Sequence, residues 1–415
     1  MQRRSFLLSG VGLGVAGRYA VESLALAATP ASPPKKIAAV VTEYRNNSHA
    51  DVIVGKYLDG FRQDGRSAKP RSRIVSMYTA QVPDNDMSRA KANEHNVPIY
   101  RTIWEALTLG TDEIAVDGVL LIGEHGDYPL NDKGQRLYPR FELFLEISDA
   151  FRRTGQAVPV FNDKHLSYSW IKAKRMVEIS RELEFPFMAG SSVPVTHRVP
   201  DWDLEWGTPL DKAGVVAYGG KESYGFHMIE AMQSVVERRR GGETGVAWTE
   251  CLENEAVWNF LDRTPWAKKI FDACLTVSKK RAPGEPKELV KEPTAYLFGY
   301  NDGLEAATFM MNGLVRDFNV GVLPNRASEP KPVLMWLEGG KPYGHFACLV
   351  QMIEKMFESG RPTYPVERTL LVSGMLDFAL ESRFQGHKRL ETPQLDVEYE
   401  APQESKYCKG APVWA

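Results

Sequence analysis

Residues 116–129, VDGVLLIGEHGDYP, decide the fold that the sequence predicts. The first half is a short apolar run with several β-branched residues, which is typical of a strand buried on both faces of a parallel sheet. The second half changes at once to a glycine-interrupted loop that carries Glu124, His125 and Asp127. Ligands of open α/β sheets bind beyond the carboxyl ends of the strands, so these polar side chains mark a candidate site.

Strand-like and helix-like segments alternate on both sides of this stretch. The other apolar runs before Ser191 are short and lie at 36–42, 73–79, 97–100, 157–161 and 186–190. Each run except the last is followed by a segment with helical periodicity. This alternation is typical of βαβ units, whose right-handed crossovers give a mostly parallel sheet with helices on its two faces. After Ser191 the pattern changes. It predicts an α+β domain with an open, mostly antiparallel sheet, with strands at 215–218, 246–250, 295–300, 304–311 and 333–337.

The length of 415 residues favours two domains, because one core rarely grows so large. The predicted parts are a signal peptide at 1–27, a linker at 28–35, a Rossmann-like domain at 36–192, an α+β substrate and oligomerisation domain at 193–398, and a tail at 399–415. The formal net charge is −2, so the chain lacks the basic field with which proteins attract nucleic acid. We therefore expect a small-molecule substrate and no nucleic-acid partner.

The amino terminus has the pattern of an export signal. Arg3 and Arg4 precede Ser-Phe-Leu and a weakly apolar run, and the small-residue sequence Ala-Leu-Ala stands at 25–27. This arrangement predicts a twin-arginine signal, and with it the twin-arginine translocase as a partner and a periplasmic or secreted protein. The apolar run is too short and too rich in glycine to predict a permanent membrane anchor.

The four cysteines, Cys251, Cys274, Cys348 and Cys408, are far apart in the sequence and form no Cys-x-x-Cys pair. The spacing does not support a zinc ribbon or a redox motif. An exported protein meets an oxidising compartment, where a disulfide can form, and the spacing leaves the pairing open.

Three of the eight histidines, His49, His125 and His165, follow predicted strands of one sheet by a few residues. Acidic residues accompany each of them: Glu43 and Asp51, Glu124 and Asp127, and Asp163 respectively. If the strands are parallel, the three loops meet at one crevice. Imidazoles with carboxylates suit acid–base catalysis near neutral pH or the binding of a first-row metal ion.

Several segments together resemble the glucose–fructose oxidoreductase / inositol dehydrogenase / MocA family. Residues 104–127 are similar to the family's helix, strand and polar loop, and Asp163-Lys164-His165 stands where the family has Glu-Lys-Pro. Residues 229–246 and 361–382 resemble the opening and the closing segments of the family's second domain. The resemblance implies a Rossmann domain followed by an α+β domain, NAD(P) as cofactor, and a sugar, polyol or related substrate bound between the domains.

The sequence departs from the family pattern at the nucleotide loop. The family has Gly-x-Gly-x-x-Gly in the first βα turn, where the missing side chains let a diphosphate approach the helix N-terminus. Here residues 43–51 read EYRNNSHAD, with no glycine, and the second strand ends in YTAQ at 78–81 instead of an acid. If a dinucleotide binds, we expect Glu43, Arg45, Ser48 and Glu124 to contact it.

The predicted catalytic residues are Lys164, His165, His125 and His227. Lys164 is carried over from the resemblance as the group that holds a substrate hydroxyl or gives a proton. The preferred hypothesis is an exported oxidoreductase of this family.

One alternative is a nucleotide-free lyase, isomerase or hydrolase, with a divalent metal ion bound by His49, His125, His165, Glu124 and Asp163. Another is a binding protein without catalysis. By analogy with the family, the open second sheet also predicts a homo-oligomer.

Overall fold

A computed structural model of the chain describes residues 33–63, 66–341 and 343–412. The predicted signal peptide and most of the predicted linker lie outside the described residues. Within the described ranges, no helix is both long enough and apolar enough to cross a bilayer.

The first half alternates strands and helices as predicted. In chain order its elements are β1 (Lys36–Val41), α1 (His49–Asp59), β2 (Phe61–Gln63), β3 (Arg66–Ala68), β4 (Arg73–Thr79), α2 (Ser88–His95), β5 (Ile99–Tyr100), α3 (Ile103–Thr108), β6 (Gly118–Ile122), α4 (Arg140–Thr154), β7 (Val160–Asp163), α5 (Trp170–Glu182) and β8 (Phe187–Gly190). Only the small β2–β3 hairpin was not predicted.

The first sheet has six parallel strands in the order β5-β4-β1-β6-β7-β8. This is the strand order of dinucleotide-binding folds. Strands β4 and β5 lie on one side of β1, and the later strands, beginning with β6, lie on its other side, so the order switches between β1 and β6. The central strand, β6, is fully buried, in agreement with its apolar sequence. The crevice of the fold therefore lies beyond the ends of β1 and β6, where the sequence has His49 and His125.

The second half forms a larger sheet. Its elements are β9 (Arg198–Val199), β10 (Leu210–Ala217), α6 (Ser223–Val236), β11 (Glu243–Thr244), β12 (Val246–Glu253), α7 (Glu255–Arg263), α8 (Pro265–Val277), α9 (Pro286–Leu289), β13 (Thr294–Tyr300), β14 (Glu305–Met310), β15 (Phe318–Pro324), β16 (Lys331–Met335), α10 (Gly344–Ser359), α11 (Val366–Phe384), β17 (Leu390–Glu391), a 3₁₀ turn (Pro393–Leu395) and β18 (Glu398–Tyr399). Eight of these strands form the sheet, in the order β17-β12-β13-β14-β10-β15-β16-β9. All neighbouring strands in it are antiparallel except β10 and β14, which are parallel. The predicted α+β architecture is confirmed, although β15 and the two-residue strands β9 and β17 were not predicted from the sequence.

One helix of the second half packs on the first sheet. The apolar side of α10, including Leu349, Ile353 and Phe357, belongs to the same core as α1 and β1. A Cβ added to Gly118 in β6 would lie 2.6 Å from Cε1 of Phe357, so this position requires glycine. The core of the first sheet is therefore completed by residues from the other half of the chain.

Helices α7 and α8 cover one face of the second sheet. Trp258, Ile270 and Phe271 pack in one apolar cluster with Leu297 and Phe309 from the strands. The family analogy predicted a subunit contact on an open sheet, but this face is already covered within the chain. The homo-oligomer stays a prediction without support from this surface.

A disulfide between Cys348 in α10 and Cys408 fastens the C-terminal segment to the first half of α10. The segment is also held where Tyr407 donates a hydrogen bond to Asp201 over 2.9 Å. The other two cysteines, Cys251 and Cys274, are buried thiols. The predicted tail is thus packed against the domain.

We expect reduction of the Cys348–Cys408 disulfide to lower the free energy of unfolding by about 2–4 kcal/mol, because the bond restricts the unfolded chain. The two residues are 60 positions apart, so the closed loop is long. Urea unfolding with and without a reductant measures the change. Cys408→Ser should have the stability of the reduced wild type even without a reductant, and adding the reductant should not change it. Equal midpoints for the oxidised and reduced wild type would contradict the prediction.

Candidate active site

A cavity of about 490 Å³ opens beyond the carboxyl ends of β1 and β6, and both halves of the chain line it. The first half contributes His49, Glu124, His125 and Lys164. The second half contributes, among others, Tyr218, Tyr224, His227, Phe318, His345 and Phe346. Such a volume suits one small ligand.

Asp163 and His49 form a hydrogen-bonded pair at this cavity. His49 is the first residue of α1, whose N-terminus Ser48 caps as predicted, and Asp163 is the last residue of β7. The Nδ1 of His49 is 2.6 Å from Oδ2 of the fully buried Asp163. A carboxylate accepts at this distance, so Nδ1 carries the proton and Nε2 is left as an acceptor. This is the arrangement in which an acid orients an imidazole as a general base.

Lys164 and Glu124 form a second pair on the same wall. The Nζ of Lys164 donates to Oε1 of Glu124 over 3.1 Å and to the carbonyl oxygen of Ser223 over 3.2 Å. Arg140, which is fully buried in α4, donates to the other oxygen of Glu124. Burial by itself would raise the pKa of Glu124, but the two cations hold that pKa well below its usual range. Glu124 is therefore ionised, and one N–H of the lysine is left for a ligand.

His125 and Lys164 both have left-handed backbone conformations, with φ of 71° and 65°. Residues with a side chain rarely adopt this region, and they persist there only when the surrounding structure enforces it. Both follow a strand end directly at the crevice. The strain thus coincides with two residues that the sequence analysis selected as catalytic.

His125 is a neutral imidazole with a defined tautomer. Its Nδ1 is 3.3 Å from Nη2 of Arg45, and a guanidinium only donates, so Nδ1 accepts and Nε2 carries the proton. Burial lowers the pKa of His125 to about 3. The buried Nε2 has no hydrogen-bond partner among the described residues. Its N–H is therefore a donor that a ligand in the cavity would satisfy.

His227, near the start of α6, is linked by successive hydrogen bonds to Ser191 and then to Glu230. Its Nδ1 is 2.9 Å from Oγ of Ser191, and this hydroxyl donates over 2.5 Å to the buried Glu230. Burial lowers the pKa of His227 well below its usual value, and the charge of Lys164 lowers it further. Burial also raises the pKa of Glu230 to about 7. His227 was predicted from the sequence, but Ser191, which follows β8, and Glu230, three residues after His227 in α6, were not.

We expect Glu230 to make the stability fall as the pH rises from about 4.5 to about 7. Its pKa goes from 4.5 to about 7 on folding, so the folded chain binds more protons than the unfolded chain in this range. Over this range the free energy of unfolding should fall by about 3 kcal/mol in total. Glu230→Gln should remove this part of the pH dependence.

Urea unfolding of the wild type and of Glu230→Gln between pH 4.5 and 8 measures this difference. Glu255→Gln, an exposed position in α7, serves as the matched control and should keep the dependence of the wild type. Parallel curves for the wild type and Glu230→Gln would refute the assignment.

His165 does not reach the cavity, which corrects its prediction as a catalytic residue. It is 2% exposed and faces inward. Its Nε2 is 3.1 Å from Nη1 of Arg140 and 3.4 Å from a carboxylate oxygen of Glu222. His165 therefore helps to hold the guanidinium of Arg140, which pairs with Glu124.

The five residues predicted to bind a metal ion do not form a common ligand set. Nδ1 of His49 is engaged by Asp163, and His125 and Glu124 face the guanidinium groups of Arg45 and Arg140. Among the described residues, the groups with three ligand atoms near one another are His197 with the disulfide cysteines, and the surface group Asp59, Glu94 and His95. Neither group is at the cavity, so the structure does not support the predicted metal site.

The residues predicted to contact a dinucleotide bind one another instead. Glu43 is buried and accepts from Arg45, while the Ser48 hydroxyl accepts from the backbone N–H groups of Arg45 and Asp51. None of Glu43, Arg45 and Ser48 lines the cavity; Glu124 does. The loop therefore does not provide the side-chain-free cradle that a diphosphate needs.

Comparison with known proteins gives a match in structure only. No protein-family model matches the sequence, and no curated protein matches it. Solved structures do match. The chain has the two-domain fold of the glucose–fructose oxidoreductase / inositol dehydrogenase / MocA proteins.

One match is GenD2 from gentamicin A biosynthesis in complex with NAD, at 13% identity over 86% of this chain and 96% of that chain, with a TM-score of 0.55. A probable dehydrogenase from Thermotoga maritima matches at 11% identity over 87% and 99% of the chains, with a TM-score of 0.53. A myo-inositol dehydrogenase from Lactobacillus casei in complex with NAD(H) and myo-inositol matches at 10% identity over 86% and 96%, with a TM-score of 0.52. The predicted fold class is confirmed, and two of these neighbours are named as dehydrogenases.

Proposed function

We propose that the cavity is the active site of an enzyme that acts on a sugar, a polyol or a related hydroxylated molecule. The observation that carries this proposal is that the Asp163–His49 pair and the Glu124–Lys164 pair line one cavity. A base with an orienting acid and a lysine with a free N–H are the groups that move a proton to and from a substrate oxygen or carbon.

The roles follow from the protonation states. Nε2 of His49 accepts a proton, Nζ of Lys164 holds or protonates a substrate oxygen, and Nε2–H of His125 donates a further hydrogen bond. The rings of Tyr224 and Phe318 stack at 13° to each other with centroids 6.1 Å apart, and both line the cavity. This aromatic wall offers an apolar surface to the carbon face of a sugar ring.

A second candidate is oxidation by NAD(P) at the same cavity. The observation that favours it is the fold, since GenD2 and the Lactobacillus casei enzyme are described in complex with NAD or NAD(H). The glycine-free sequence of residues 43–51 counts against it.

We also propose that the protein is exported through the twin-arginine pathway and works in the periplasm or outside the cell. The paired arginines near the N-terminus support export, and the Cys348–Cys408 disulfide is typical of an oxidising compartment. Mass spectrometry of the exported fraction would test this proposal: it predicts a mature N-terminus close to residue 28.

A thermal-shift screen with myo-inositol, glucose, glucuronate and their keto derivatives tests the proposed substrate class. Ligands of the cavity should raise the melting temperature of the wild type and of Lys174→Met, an exposed control, but not of Lys164→Met. Turnover of the same compounds is then followed by chromatography. Binding without turnover, undiminished in Lys164→Met, would favour the non-catalytic binding protein.

A further inference from the structure

We infer that this active site works without a dinucleotide and that its reaction is a redox-neutral proton transfer. The inference deepens the proposed function and rests on it for the place of the reaction. Three places support the inference. Dinucleotide-binding folds leave these places open for the nucleotide, whereas in this chain its own side chains occupy them.

The first filled place is the turn between β1 and α1. Tyr44, in the middle of this turn, is fully buried, and the Glu43 carboxylate beside it is 6% exposed and paired with Arg45. In dinucleotide-binding folds the same turn consists of glycines, so that the diphosphate can approach the backbone. Here every position of the turn carries a side chain, and the Glu43 carboxylate already binds the guanidinium of Arg45 that could otherwise meet a phosphate.

The second filled place is the N-terminus of α1, where a diphosphate would accept backbone N–H bonds. The Ser48 hydroxyl already accepts the N–H of Asp51. The segment before α10 lies over this helix end: Lys341 donates to Asn46 over 2.8 Å and is 3.6 Å from a carboxylate oxygen of Asp51. The ring of Phe346 packs edge-on against the ring of His49, with centroids 5.4 Å apart.

The third filled place is the end of β4, where such folds hold a ribose with an acidic side chain. This strand is followed by Gln81, whose amide receives the N–H of Asp127 over 2.8 Å and donates to the carbonyl of Asp127 over 3.0 Å. The loop after β6 is thereby fastened across the end of β4. No residue of β4 or β5, or of the turns that follow them, lines the cavity.

Without a hydride acceptor, hydrogen has to leave the substrate as a proton. Nε2 of His49 takes a proton from a carbon next to a carbonyl group, and the electron pair of the broken C–H bond moves onto the carbonyl oxygen beside Nζ of Lys164. The pair then returns to carbon. The proton held by Nε2 of His49 then returns to that carbon or to the carbon beside it, or it goes to a neighbouring hydroxyl, which leaves as water. Neither route changes the oxidation state of the system.

Titration of the full-length mature protein with NADH and NADPH, followed by nucleotide fluorescence and by calorimetry, tests the inference. We expect no saturable binding up to about 1 mM nucleotide, a range that covers most enzyme affinities for their substrates. The Lactobacillus casei myo-inositol dehydrogenase serves as the positive control of the assay. Saturable binding of either nucleotide below this concentration, or nicotinamide that co-purifies with the protein, would overturn the inference.

The composition of the product tests the reaction class. For any sugar or keto sugar of the thermal-shift panel that is converted, mass spectrometry should find a product with the composition of the substrate, or short of one water. A product that differs by two hydrogen atoms would overturn the inference. These outcomes can be told apart from failure of the proposed function. If the cavity is not the active site, Lys164→Met would leave ligand binding and turnover unchanged, whatever the nucleotide titration shows.

Discussion

Lys164→Met should lower turnover by about 10²–10⁴-fold, the range expected when a positioned acid–base group is removed. Methionine keeps most of the length and the apolar stem of the side chain, but it lacks the ammonium group that donates to Glu124 over 3.1 Å. The third N–H of the lysine is the one that would reach the substrate. The loss should appear mainly in kcat if this contact forms in the transition state, and mainly in KM if it only binds the substrate.

The measurement is a comparison of kcat and KM for the wild type, Lys164→Met and the exposed control Lys174→Met. His49→Gln should show a loss of similar size, because it removes the base while leaving an amide of similar size beside Asp163. A Lys164→Met protein that is folded, binds the ligand and keeps at least a tenth of the activity would refute the assigned role.

Arg140→Met should lower the free energy of unfolding by about 3–5 kcal/mol, the cost of breaking a buried ion pair from one side. Arg140 is fully buried and contacts both Glu124 and His165. Without the guanidinium, the Glu124 carboxylate keeps a single cation, Lys164, in a place with little water. Methionine keeps Cβ and Cγ, the side-chain atoms of Arg140 that lie against Gly123, so the variant removes mainly the guanidinium.

Urea unfolding at neutral pH measures this loss, and Arg152→Met is the matched control. Arg152 lies on the same helix and pairs with Asp149 over 2.8 Å, but both side chains are exposed, so its loss should cost less than about 1 kcal/mol. Equal midpoints for Arg140→Met and Arg152→Met would contradict the assignment.

The place of the site could be predicted because it depends on local patterns. The apolar run that ends at Ile122 predicts a buried central strand, and parallel strands bring their carboxyl ends to one edge. His49, His125 and Lys164 therefore reach the cavity as expected. No long-range information was needed for these residues.

The partners of these residues could not be predicted, since they come from distant parts of the chain. His165 follows its strand by two residues and His125 follows its strand by three, yet His165 faces inward because Arg140 and Glu222 offer it buried partners. Ser191 and Glu230 carry no sequence signal of a functional role. Their connection to His227 depends on how β8 and α6 pack.

The late position of α10 in the sequence has a consequence for biosynthesis. The face of the first sheet that carries α1 stays without part of its apolar cover until Leu349, Ile353 and Phe357 leave the ribosome. A nascent chain that ends at β8 would expose this surface, so the amino-terminal half is not an independent folding unit.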